Sequence, residues 1–202
     1  MTGNSENATT EDVRAAATAI RQGELVVYPT ETVYGLGADA LDADAVDRMF
    51  SAKSRDRSKP VSMGVPGVES AREYTEPTAR EAAFMERFLP GPVTVVVEKT
   101  AAVPDELTAG RDRVGIRIPE HDLALSLLDA VAPVTATSAN ISGNPSARRL
   151  SDVDARVREA ATVALDGGET PGGGSTVVDV SRNEIHRRGG LAEEIEAWLD
   201  EH

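Results

Sequence analysis

A chain of 202 residues, 40% of them hydrophobic, suffices for one compact α/β domain and is short for two. It has no cysteine, which excludes thiolate metal sites, disulfides and a thiol nucleophile, and its three histidines leave little for zinc chemistry. The net charge of −13 excludes broad attachment to nucleic acid or to an anionic membrane, no apolar run reaches spanning length, and the N-terminus lacks the pattern of a targeting leader, so the expected location is the cytoplasm.

Residues 1–9 are polar and expected to be flexible, which leaves 10–202 as a single domain. Thr10 is placed to cap a first helix, with Glu11 and Asp12 in its opening turn and Gly23 as its stop. A buried strand at 25–28 follows. Helical periodicity then recurs over 43–50, 77–89, 123–131, 152–160 and 191–199. Between these stretches lie β-rich runs at 61–65, 93–98, 114–118, 134–137, 162–165 and 176–180. Alternation of this kind predicts a sheet flanked by helices. The run Pro171-Gly172-Gly173-Gly174 is too short for a domain linker.

Three segments could carry chemistry. Tyr28-Pro29-Thr30-Glu31-Thr32-Val33-Tyr34-Gly35-Leu36-Gly37 puts hydroxyls and an acid directly after a buried strand, where side chains project into a crevice; an ordinary polar turn reads the same way. Within it, Gly35-Leu36-Gly37-Ala38-Asp39-Ala40 mimics the G-x-G-x-x-A dinucleotide fingerprint. A polar hexad separates it from the strand, and Arg55, Arg57 and Lys59 occupy the window where the ribose acid belongs, so an NADP-dependent reductase is a distant third reading. Lys53-Ser54-Arg55-Asp56-Arg57-Ser58-Lys59-Pro60 is a basic island in an acidic chain that has only one other lysine, Lys99; the acidic excess reads as a surface adapted to high salt. Four crowded cations favour a polyphosphate, with a solvated loop as the plainer explanation.

The third segment, Thr135 through Ser146, runs from a strand into hydroxyl and amide residues, including Ser138 and Asn140, that can polarise phosphate or carboxylate oxygens. It lacks a neighbouring histidine and a G-x-S-x-G elbow, and the chain has no Walker P-loop. Arg117 is a charge in an apolar strand that would suit a substrate carboxylate if it faces a crevice; Ser175 and Arg187 are ambiguous singly.

Taken in order, these segments, with Pro90-Gly91-Pro92-Val93-Thr94, Val114-Gly115-Ile116-Arg117-Ile118-Pro119 and Ser175-Thr176-Val177-Val178-Asp179, resemble the YrdC/Sua5 family over about residues 26 to 191. The resemblance implies an α/β fold with a twisted, largely open mixed sheet flanked by helices and a deep basic cavity. It implies synthesis of threonylcarbamoyl-AMP and pyrophosphate from L-threonine, bicarbonate and ATP with Mg2+ carried on the phosphates, for a tRNA modification. Thr32, Arg117 and Ser175 would then surround L-threonine. Arg55, Lys59, Ser138, Asn140, Ser146 and Arg187 would surround ATP, with Lys53 and Arg55 neutralising charge and no general base assigned.

The resemblance further implies transient hand-off of the product to the tRNA threonylcarbamoyl transferase machinery. A noncatalytic module that binds structured RNA on the same basic concavity is the alternative from another class. Two departures stand out: Gly64 replaces a histidine that relatives often carry, and Arg187-Arg188-Gly189 replaces Arg-Pro-Gly, leaving open which arginine meets ATP. The chain looks like the short form of the family.

Overall fold

A computed structural model of the chain describes residues 8–202. In chain order the elements are α1 (Thr10–Arg21), β1 (Leu25–Tyr28), β2 (Gly35–Gly37), α2 (Ala43–Ala52), β3 (Ser62–Gly64), α3 (Val68–Ala71), α4 (Ala79–Phe88), β4 (Val93–Glu98) and α5 (Asp105–Thr108). They continue as β5 (Arg113–Arg117), α6 (Asp122–Ala130), β6 (Val134–Ser138), α7 (Ala155–Ala160), β7 (Ala161–Ala164), β8 (Thr176–Asp179), β9 (Glu184–Arg187) and α8 (Ala192–Glu201). The strands form one mixed, open sheet of order β7-β1-β2-β6-β3-β5-β4-β8-β9. The pairs β1/β7, β3/β5 and β4/β8 are parallel, and the remaining neighbours are antiparallel.

Of the segment expected to be flexible, 1–9, residues 1–7 lie outside the described residues, whereas Ala8 and Thr9 belong to the fold. Ala8 N–H donates to Asp166 O at 2.9 Å. Thr9, not Thr10, caps α1: its hydroxyl accepts from Asp12 N–H while the Asp12 carboxylate accepts from Thr9 N–H, a reciprocal box that Thr10 cannot form with Asp12 two residues on. The expected helix at 152–160 is a 3-10 turn, Leu150–Asp152, followed by α7, which starts after its own cap Asp154. The false dinucleotide fingerprint is β2, a strand inside the sheet. Its glycines admit the Tyr28 ring, since a Cβ on Gly35 would stand 3.0 Å from Tyr28 Cζ.

Strand alternation splits the core. Leu25 and Val27 of β1, Met63 of β3, Val93, Val95 and Val97 of β4 and Ile116 of β5 join one cluster with Met49 and Phe50 of α2, Phe84 and Met85 of α4 and Ile195 of α8. Val26 and Tyr28 point the other way, where Val13, Ala16 and Ile20 of α1 and Leu127 and Leu128 of α6 cover them together with Val134. That second face is covered only around these residues. Elsewhere it carries Ser62, Gly64, Thr94, Gly115, Ala136 and Ser138, side chains too small to fill the space above the strands, and a cavity results.

Candidate functional site

The cavity holds about 710 Å3 and is lined by Thr32, Arg55, Arg117, Ser138, Ser146, Ser175 and Arg187 of the sequence-derived candidates, with Tyr28, Thr30 and Thr94 beside them. The turn after β1 is built by Thr30. Its hydroxyl donates to Val33 O at 2.7 Å, accepts from the amides of Thr32 and Val33, and lies 3.0 Å from the Thr32 hydroxyl. Thr32 O in turn accepts from Gly172 N–H at 2.7 Å, which ties this turn to the glycine strap ahead of β8.

Lys53, Lys59 and Asn140 do not line the cavity. The basic island, expected to act as four cations on one anion, is dispersed, because successive residues leaving the end of α2 point in different directions. Lys53 turns inward and is 1% exposed; its ammonium donates to Ser138 O and Asn140 O. Arg57 pairs with Asp47 and lies over the Phe50 ring, and Lys59 is exposed. Only Arg55 reaches the cavity, braced by bonds to Lys59 O and Pro60 O at 3.3 and 3.0 Å. Asn140 is spent on its own turn, its side-chain amide donating to Ile141 O and Asn144 O, both at 2.8 Å.

Burial, and then the charge of Arg55, bring the Lys53 ammonium down to about 8. Burial also lowers Arg55, and the like charge of Arg187 lowers it further. Arg117 is lowered by burial as well, but Glu31 opposes that shift through a 2.5 Å ion pair. Arg117 also donates to Val93 O at 3.1 Å.

At the other wall Arg187 donates to Ser175 O at 2.9 Å and to the Ser175 hydroxyl at 2.7 Å, and that hydroxyl meets Thr94 Oγ1 at 2.9 Å. Arg188 points away and pairs with Glu196 of α8, so Arg187 is the arginine that faces the cavity. Two residues of this site, Glu31 and Thr94, escaped assignment from sequence. Thr94 left a signal, a lone hydroxyl in a strand of valines; Glu31 left one as the acid in the turn after β1, but nothing in the sequence marked its pairing with Arg117, 86 residues away.

Ser175 is held where β9 returns beside the strap. A Cβ on Gly189 would lie 2.2 Å from Gly174 O and 2.6 Å from Ser175 C, both backbone atoms, whereas one on Gly174 would meet open space. Gly189→Ala should therefore lower stability by about 1–3 kcal/mol in a denaturant titration, and Gly174→Ala should stay within about 0.5 kcal/mol.

The family model described as telomere recombination, Sua5/YciO/YrdC, matches residues 18–189. The chain belongs to this family. Threonylcarbamoyl-AMP synthase of Pyrococcus abyssi is 42% identical over 195 residues, covering 94% of this chain and 57% of the relative. The enzyme of that name from Bacillus subtilis is 36% identical over 198 residues, covering 93% and 56%. Among solved structures, Pyrococcus abyssi Sua5 complexed with L-threonine superposes with a TM-score of 0.86 at 41% identity, covering 96% of this chain and 58% of that one. The chain thus spans a little over half the length of these family members. Among the described residues, no helix is long and apolar enough to cross a membrane.

Proposed function

We propose that this chain forms threonylcarbamoyl-AMP and pyrophosphate from L-threonine, bicarbonate and ATP. The observation that carries the reading is the company kept by the cavity's cations. Arg55 and Arg187 bond only to neutral acceptors, the charge of Arg187 bears on both Arg55 and Arg117, Arg117 is held in an ion pair, and hydroxyls of Thr32, Ser138, Ser146 and Ser175 line the wall. Two guanidiniums without a carboxylate partner suit a polyphosphate, and the small polar wall suits an amino acid. The names of the family's relatives agree, and one relative's structure is described with L-threonine bound.

In the proposed reaction the threonine amine adds to bicarbonate and water leaves, giving an N-carboxylate. One of its oxygens attacks the α-phosphorus of ATP, and the bond to the β-phosphate oxygen breaks to release pyrophosphate. Both partners are anions, so the contribution asked of the protein is alignment and charge neutralisation by Arg55 and Arg187. The nucleotide is taken as its magnesium complex, the metal riding on phosphate oxygens. The product, a mixed anhydride, suits transfer to an amine on tRNA by a separate transferase.

The test is pyrophosphate release from ATP at high salt, with each co-substrate omitted in turn. Release should need both L-threonine and bicarbonate, and omission of either should lower it to background. A folded protein that binds neither ATP nor L-threonine would remove the assignment and direct attention to structured RNA.

A further inference from the structure

Six arginines line the cavity; among the described residues Arg113, Arg117 and Arg182 have a carboxylate within 4 Å, whereas Arg55, Arg111 and Arg187 have none. Glu31 Oε1 accepts from Arg117 Nη2 at 2.5 Å, with 13% of the glutamate side chain exposed and 8% of the arginine's. The other carboxylate oxygen of Glu31 is buried without a donor. The charge of Arg187 bears on Arg117 from the cavity side, whereas the two titratable groups beside Glu31 add none. His121 is pushed down by burial towards its neutral form, and Tyr28 is pushed up by burial and stays a neutral phenol. The guanidinium keeps N–H groups beyond those given to Glu31 and Val93, so it can still receive a ligand carboxylate.

A purely anionic ligand at Arg117 would bring a second negative charge against a pair that is already neutral, in a buried setting where charges act over several ångströms with little screening. A zwitterion adds no net charge, and its ammonium is drawn towards the glutamate. Arg55 and Arg187 have no such partner and keep their full attraction for anions.

Building on the amino-acid-plus-nucleotide reading above, we propose that Glu31 is a specificity-determining residue: it makes the Arg117 end of the cavity a receptor for an α-amino acid zwitterion and confines phosphate groups to Arg55 and Arg187. Glu31 needs no contact with the ligand for this role. It acts by setting the net charge that Arg117 presents.

The experiment compares, by titration calorimetry on the full chain, L-threonine with 3-hydroxybutyrate, which keeps the carboxylate and hydroxyl and lacks the amine, and adds inorganic phosphate as a competitor. Wild type should bind threonine at least about tenfold more tightly than 3-hydroxybutyrate, and phosphate should not displace threonine. In Glu31→Gln, which preserves size, the preference should fall to about threefold or less and phosphate should compete with threonine. Mere loss of structure at Arg117 would weaken both ligands together and would not create phosphate competition.

A variant with wild-type discrimination and no competition overturns the proposal while leaving the parent reading intact. If the variant does not fold, the wild-type comparison still decides: equal affinity for threonine and 3-hydroxybutyrate overturns it. Absence of threonine binding to wild type overturns the parent reading and this inference with it.

Discussion

Arg55→Ala should lower threonine- and bicarbonate-dependent pyrophosphate release by about 10²- to 10³-fold while the protein remains folded, as read from initial rates and a thermal melt on the same preparation. The charge of Arg187 raises the cost of charging Arg55, and neither has a carboxylate within 4 Å among the described residues. Such a pair is poised for a ligand whose charge peaks as pyrophosphate departs, so the loss should fall mainly on kcat, with the KM for ATP rising less. Arg55 also braces its loop through Lys59 O and Pro60 O, and a loss of that brace could imitate the effect. Arg55→Lys separates the two causes: it keeps a cation and loses the planar fork, and it should recover only a small part of the rate. An Arg55→Ala enzyme within about threefold of wild type would remove the polyphosphate from this end of the cavity.

The reasons for legibility differ from element to element. β1 and β4 were plain in the sequence because they are short runs of apolar residues buried on both faces or nearly so. β2 was hidden because two of its three residues are glycines, chosen for close approach to Tyr28 and Val134 rather than for strand propensity. β9 was hidden too, for its Glu184, His186 and Arg187 are exposed and its pairing with β8 supplies what its composition does not.

At the site, motif positions located the cavity wall, since strand ends and the turns after them carry their side chains to a place fixed by the sheet. What each side chain does there was less legible. Lys53 and Arg55 are two residues apart and read alike as phosphate ligands, yet the turn at the end of α2 sends one into the interior and the other into the cavity. Arg117 could be read as a carboxylate receptor, but whether it is a free cation or half of an ion pair depends on Glu31, whose approach is a property of the folded sheet.

Lys53→Met tests the interior role directly, because methionine keeps an unbranched stem of similar bulk and leaves the Ser142 N–H to Lys53 O bond in place. It removes only the ammonium that Ser138 O and Asn140 O share. Two carbonyls lose a charged donor, at about 1–3 kcal/mol each, offset in part by no longer burying a cation, so a net destabilisation of about 2–3 kcal/mol is expected at neutral pH. The Ser138 hydroxyl, which lines the cavity from the same strand end, should shift with the turn, and pyrophosphate release should fall with it.

The pH dependence distinguishes this account from simple packing loss. Burial brings Lys53 from 10.5 to about 8 in the fold, so between those values the unfolded chain binds the extra proton and stability must rise with pH. The neutral amine still has two N–H donors for its two carbonyls. Wild type should therefore gain about 2 kcal/mol over Lys53→Met between about pH 8 and about pH 10. Contributions from Tyr28 and Tyr34, both raised by burial, are common to the two proteins and cancel in the difference. Parallel stability curves for wild type and variant across that range would mean that the Lys53 ammonium holds its proton as tightly in the fold as in the unfolded chain, and that burial does not lower it.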